Sequence, residues 1–286
     1  MGAEAQAAGC QCGKGGSLMN DLLSQLQGSL RMLANHDVQL YLLKGTAFTI
    51  GISVIIIVCS VLIGSVLALV RNYCTTGPAR LARRASIIYI ELFRNTPLML
   101  WVFAGFVLCP APAFSKAFAS VLGFSSVVAV KTLFKAIVSL TLFTSAVMAE
   151  IIRGGLNAIP RGQFESAYAQ GFGTLHTMRL IVLPQAYRHI VPTLLSQMIT
   201  TIKDSSYMAS LVTVELMGCT KLLISKANSY NGTWVDRIER GTIHVTDVFV
   251  MFGTAFLIYF IINFALSCLV RSLRGRKAAD RKAQAL

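Results

Sequence analysis

GTAFTIGISVIIIVCSVLIGSVLALV, Gly45 to Val70, contains no charged side chain. A helix that crosses a bilayer needs about 20 apolar residues in a row, because the hydrocarbon core offers no water to charges or to open backbone groups. This stretch meets the length without a break. Outward from it, four more stretches reach spanning length. Residues 85–109 carry Glu91 and Arg94 in their first turns, and residues 132–152 contain Lys135 and end near Glu150 and Arg153. Residues 193–214 hold Lys203 and Asp204 at their middle, and residues 248–270 are again free of charge. The expectation is an all-α integral membrane protein with about five transmembrane helices, at 45–70, 85–109, 132–152, 193–214 and 248–270.

Composition agrees. Of 286 residues, 55% are hydrophobic and only 13% charged, with a mean hydropathy of +0.64. Soluble domains carry about 25% charged residues, so a cytosolic enzyme and a disordered chain are both excluded. The net charge of +14 would suggest a nucleic-acid partner in a soluble protein. Here the bases lie between apolar spans, so the partner expected is the lipid bilayer and no nucleic acid.

Loop charges set the orientation, since cytoplasmic loops collect Lys and Arg. The first connection holds Arg71, Arg80, Arg83 and Arg84 without an acid. The connection after the third span holds Arg153, Arg161, Arg179 and Arg188 against Glu165, and the tail 271–286 is strongly basic. The alternate loops are thinner in bases. These counts predict a multi-pass protein with its N-terminus outside and its C-terminal tail cytoplasmic.

Residues 1–17 are Ala- and Gly-rich without an apolar h-region, which argues against a cleaved signal peptide; disorder is expected there. Met1-Gly2 begins a myristoylation-like pattern, but Gln6 stands where Ser or Thr is required. From 18 to 37, Leu18, Leu22, Leu23, Leu26, Leu30 and Leu33 fall at helical spacing, the pattern of an amphipathic interfacial helix. The seven cysteines and four histidines are dispersed. Cys10 and Cys12 lack further ligands nearby, so no metal site is expected. No catalytic constellation and no G-x-x-x-x-G-K-[ST] loop occurs, so the chain is expected to be no enzyme. Work against a gradient would draw on an ion gradient or on another chain.

The connection around 154–190 is long yet not polar enough for a floppy linker. Pro160 suits the start of a helix, and Phe164, Ala167 and Tyr168 follow at helical spacing. Gly171 and Gly173 then interrupt, and a second short helix is expected from Thr174 to Leu183, before Pro184. Two short helices bent at a glycine make either a rigid cytoplasmic knob or a re-entrant hairpin with structural duties alone.

Glu165-Ser166-Ala167, three residues, Gly171, nine residues, then Ile181-x-Leu183-Pro184 resembles the E-A-A-x3-G-x9-I-x-L-P signature of permease subunits of binding-protein-dependent ABC importers. Ser166 for the first alanine is a small-for-small departure. Glu91-Leu92-Phe93-Arg94-Asn95-Thr96-Pro97-Leu98 and Ile202-Lys203-Asp204-Ser205-Ser206 resemble the polar amino-acid branch of that family, and the likeness covers about residues 40–270. The resemblance implies a type I importer permease fold in the cell (inner) membrane of a prokaryote, and a second permease copy, identical or paralogous. It further implies two copies of a cytoplasmic ABC ATPase, which uses ATP and Mg while this chain binds no cofactor, and an extracytoplasmic amino-acid-binding protein. Pro160, Phe164, Glu165, Ala167, Gly171, Leu183 and Pro184 then fall in the coupling helix region that docks on the ATPase.

Charges inside a span cost roughly 2.5–3.5 kcal/mol each on insertion scales and mostly face a bundle interior or cavity. Lys203, Asp204, Ser205 and Ser206 form a polar patch suited to a zwitterionic amino acid, as route lining or gate; the alternative is scaffold bonding to neighbouring helices. Glu91, Arg94 and Asn95 are open to the same two readings, Glu91 and Arg94 being i,i+3 neighbours, and Pro97 should bend their helix. Glu150 and Arg153 read as a structural i,i+3 pair. The function expected is the membrane subunit of an ATP-driven importer of a polar amino acid. The alternatives are an importer of another small polar solute, or a gradient-driven transporter, which would need an inverted repeat that five unequal spans do not supply.

Overall fold

The computed structural model describes residues 20, 23–74, 76–124, 126–211, 213–227 and 245–283; the expectation for 1–17 and the Cys10–Cys12 pair lie outside them. Every regular element among the described residues is helical. Helix α1 covers residues 23–34, and Asn35 ends it. The Asn35 side chain accepts the Asp37 amide at 3.0 Å, which opens α2, His36–Tyr73. Then come α3 (Ala79–Arg94), α4 (Leu98–Leu108), α5 (Lys116–Val121) and α6 (Val127–Asn157). After them come α7 (Arg161–Ala169), α8 (Thr174–Thr177), a π turn (Met178–Val182) and α9 (Leu183–Asp204). A 3₁₀ turn (Ser205–Leu211), α10 (Leu216–Ala227) and α11 (Val245–Ala283) complete the order.

Among the described residues, four helical runs are long and apolar enough to cross a membrane, and five if α3 and α4 together make one span. That condition corrects the expectation for 85–109. Instead of one bent helix, α3 and α4 are set at 115°. Pro97 has no amide hydrogen, takes ψ 134° and disfavours helical geometry at the residue before it. The corner is secured from both sides. The Thr96 hydroxyl donates to Leu92 O at 2.6 Å and accepts from Trp101 Nε1 at 2.6 Å, while the Trp101 and Phe93 rings stack 4.0 Å apart.

The chain divides into two compact units. The first comprises Met1–Phe48 and Val214–Phe260. Its core joins Met32 of α1, Val38 and Leu42 of α2, Leu216 and Leu223 of α10 and Met251 of α11. Of the expected amphipathic face, Leu33 packs against this core, whereas Leu23, Leu26 and Leu30 are exposed; the buried Met32 lies outside that leucine pattern. A Cβ on Gly45 would come within 2.9 Å of Cys219 Sγ, so α2 and α10 approach closely there.

The second unit, Thr49–Thr213 with Ile261–Leu286, is built on α6, which packs against α3, α4, α9 and the 3₁₀ turn. Small residues let the helices close up, as is usual where lipid removes the hydrophobic drive between them. A Cβ on Gly64 of α2 would meet Ala149 N and Ser145 O of α6 at 2.9 Å, and the Ser60 hydroxyl donates to Thr141 O at 3.0 Å.

Candidate functional site

Within the second unit, α7 stands on a cluster made by Met148, Ile152 and Leu156 of α6, Ile159, Val182, and Ala186, Ile190 and Leu194 of α9. Phe164 packs against that cluster, and Ala167 is 1% exposed. These two set the inner face of the short helix. The Gln185 amide donates to Gln163 Oε1 at 3.1 Å and ties α7 to the start of α9. Pro160 stands one position before the first helical residue, with ψ 139°, where a missing amide hydrogen costs nothing.

Gly171 ends α7 in a Schellman motif. Its amide donates to Tyr168 O at 2.9 Å, the Phe172 amide donates to Ala167 O at 3.1 Å, and its φ is +82°. That geometry favours glycine on backbone grounds alone. No atom of the described residues lies within 4 Å of the place a Cβ would occupy, so the surface beside Gly171 is open among them. Glu165 is exposed and makes no hydrogen bond or ion pair among the described residues; the Ser166 hydroxyl returns to Gly162 O at 2.8 Å. Tyr168 and Leu175 are exposed as well, at 47% and 82%. The knob thus has an apolar root and an open outer face.

The second short helix departs from expectation. The expected stop before Pro184 is absent: Thr174–Thr177 leads without a break through the π turn and Pro184 into α9, which runs to Asp204. The π turn explains this. Leu183 donates its amide to Met178 O, one residue further back than in an α-helix, and the widened turn admits Pro184 without breaking the run.

The polar residues inside the spans fall into two groups. Arg71 of α2 reaches Glu150 Oε2 at 2.8 Å and Glu91 Oε1 at 3.5 Å. Arg153 pairs with the other oxygen of Glu150, its Nε at 2.9 Å. Glu150 is therefore held by two guanidinium groups, a strong charge-assisted arrangement. Glu91 accepts from Asn95 Nδ2 at 3.2 Å, and its ion pair is with Arg71 and not with Arg94, 20 positions separating the partners. Asn72 donates to Asn157 at 3.1 Å, so the ends of α2 and α6 are tied twice.

Lys203, Asp204, Ser205 and Ser206 sit where α9 tightens into the 3₁₀ turn. Lys203 is exposed, Asp204 half-buried and Ser205 fully buried, its hydroxyl donating to Ile202 O at 2.7 Å. Lys203 and Asp204 form no ion pair with each other. Glu91, Arg94 and Asn95 lie on the end of α3, ahead of the Pro97 corner.

A family profile described as "binding-protein-dependent transport system inner membrane component" matches residues 60–278. The chain belongs to this family. It is a multi-pass inner-membrane permease component of a transport system. Over 238 residues it is 33% identical to a glutamate/aspartate import permease protein of Escherichia coli O6:H1, covering 83% of this chain and 94% of that one. Over 190 residues it is 33% identical to a probable glutamine ABC transporter permease protein of Bacillus subtilis, covering 66% and 74%. Among solved structures, an amino acid ABC transporter crystallised with histidines is similar at TM-score 0.66 and 21% identity, covering 86% of this chain and 97% of that one. A methionine ABC transporter in an inward-facing form follows at TM-score 0.56 and 19% identity, with 83% and 98% covered. The permease's fold is that of these importers.

Two residues with structural weight were missed in the sequence. Glu215, 0% exposed, accepts from the Met217 and Gly218 amides at 2.9 and 2.6 Å and from the Tyr259 hydroxyl at 2.9 Å. It caps α10 from the residue before it; the signal was an acid directly ahead of an apolar helical run. Arg71 counted only as a loop charge, and nothing local foretold partners on α3 and α6.

Proposed function

We propose that this permease forms the translocation path for a polar amino acid in an ATP-driven importer and couples to a separate cytoplasmic ATPase through residues 160–184. The observation that carries the reading is the knob itself. A signature-bearing helix rests on the α6–α9 cluster through Phe164 and Ala167, ends at a positive-φ Gly171, and leaves Glu165 facing outward. A partner seated on that outer face would move α6 and α9 together. The names of the relatives support an amino acid as solute. The working assembly is two such permeases, two ATPase subunits and an extracytoplasmic binding protein. ATP and Mg are handled by the ATPase. The basic loops support a cytoplasmic knob and C-terminus, with the N-terminus outside.

Within the path, Lys203 and Asp204 with Ser205 and Ser206 act at the route or its gate, and Glu91, Arg94 and Asn95 act at the corner before Pro97. The π turn and the 3₁₀ turn at the two ends of α9 are the places where its hydrogen-bonding register already departs from α.

The test is ATP hydrolysis by the permease reconstituted in lipid with its ATPase and binding protein, over a panel of amino acids. Gly171→Val should abolish solute-stimulated hydrolysis, because a β-branched residue at φ +82° costs at least the roughly 1–2 kcal/mol of a left-handed residue and reshapes the end of the knob. Stimulation unchanged in that variant would defeat the assignment of the knob.

A further inference from the structure

Helices α4 and α6 meet at Gly105, where an added Cβ would overlap the Ser139 side chain. Beside this contact lies a pocket of about 270 Å³, lined by Phe93, Trp101, Ala104, Leu108, Val138 and Leu142 among others. It exceeds the roughly 150 Å³ of a dry cavity that accepts benzene. The hydrogens of its few polar lining atoms are already donated elsewhere. The Ser139 hydroxyl donates to Lys135 O at 2.7 Å, and Cys109 Sγ leans on Pro110 O at 3.7 Å. Ser139 Oγ keeps acceptor capacity alone, so among the described residues a polar solute would find little to bond, whereas an alkyl chain would lose nothing.

One turn from the pocket stands Lys135. Its ammonium donates to Phe106 O at 2.8 Å and lies 5.3 Å from the centre of the Phe106 ring. An ammonium has three donors, and among the described residues no carboxylate lies within ion-pair distance of this one. Lys131, half-buried, precedes it by one helical turn. Two like charges at i,i+4 repel unless an anion lies between them. Lys135 is about 10 Å from the middle of α6, at 1.5 Å rise per residue, so it sits just inside a hydrocarbon half-thickness of about 15 Å. From there its long side chain reaches the headgroup level.

We propose that this is a binding site for an anionic phospholipid, with the phosphate on Lys131 and Lys135 and one acyl chain in the α4–α6 pocket. A phospholipid supplies in one molecule the anion that the two lysines lack and the chain that the pocket fits. The single negative charge of phosphatidylglycerol matches this better than zwitterionic phosphatidylethanolamine, whose own ammonium competes with the lysines.

The experiment is native mass spectrometry of the purified full-length permease, in the assembly it forms, titrated with phosphatidylglycerol and with phosphatidylethanolamine of the same chains. Phosphatidylglycerol should be retained more tightly. Lys131→Ala with Lys135→Ala should weaken it about 30-fold, from two lysines near the surface. Val138→Trp, which fills the pocket and keeps both lysines, should also remove it. Equal retention of the two lipids, or unchanged phosphatidylglycerol affinity in the double-lysine variant, would overturn the site. So would loss of a permease dimer in Val138→Trp at constant lipid count, which would give the pocket to a second copy.

Discussion

Gly155 and Ile190 are the joint on which the knob depends, and the structure sets opposing forces on a methyl group there. In α6, replacing glycine by alanine should favour the helix by about 1 kcal/mol. Against that, the new Cβ would overlap Ile190 Cγ1 and come to 2.9 Å of Cδ1 and 3.3 Å of Cβ, where carbon atoms prefer about 3.5–4.0 Å. Ile190 is 5% exposed and wedged with Leu156, Ile159 and Leu194, so it cannot swing aside freely. Overpacking of this kind costs about 1–3 kcal/mol, so the balance for Gly155→Ala should be net destabilising by up to about 2 kcal/mol. Gly154→Ala is the control, because no atom of the described residues lies within 4 Å of its Cβ position; it should be neutral or slightly stabilising. Ile190→Ala alone should cost about 2–5 kcal/mol. The double variant removes the overlap, so the two costs should fail to add by about 1–3 kcal/mol in the stabilising direction. Apparent melting temperature in detergent, with ATPase stimulation as second readout, measures all four proteins. Gly155→Ala as stable as Gly154→Ala, or strictly additive costs in the double variant, would refute the reasoning.

Three further expectations follow from the polar groups. Tyr259→Phe should cost about 0.5–3 kcal/mol, the span for a hydrogen bond to a neutral or a charged group, and Glu215→Ala more, because two amide donors of α10 lose their acceptor as well; melting temperatures of the two variants rank them. Glu150→Gln keeps the shape but leaves Arg71 and Arg153 facing a neutral amide, so solute-stimulated ATP hydrolysis should fall while basal hydrolysis persists; equal loss of both would point to simple misfolding. Asp204→Asn should lower solute uptake in vesicles without lowering the amount of protein in the membrane, and full uptake would remove Asp204 from the path.

The parts that were legible in the sequence are those governed by local chemistry. An uncharged run such as Gly45–Val70 can only be membrane helix, and α2 contains all of it. Gly171 announced an interruption, and a positive φ is what it supplies. The corner at Pro97 was foreseen as a bend, but its size was not, because 115° depends on Thr96, Trp101 and Phe93 locking to one another across the proline. Pro184 misled for the opposite reason. A proline is read as a stop when the preceding turn is assumed to be α, and a π turn removes the conflict before the proline is reached.

Pairing was the level that local reading reached least, and charge explains why. Glu91 and Arg94 have the spacing of an ion pair, as do Glu150 and Arg153, yet only the second pair forms. An i,i+3 contact is worth only about 0.2–0.5 kcal/mol, so any better-placed guanidinium wins. Arg71, delivered by the end of α2, reaches both acids at once and takes Glu91 from its neighbour on α3. The outcome joins α2, α3 and α6 at the end from which the chain runs into Pro160 and the knob. A residue that sequence spacing treats as a solvated loop base thus holds three elements together, and the knob inherits its footing from an arrangement that only the folded chain can show.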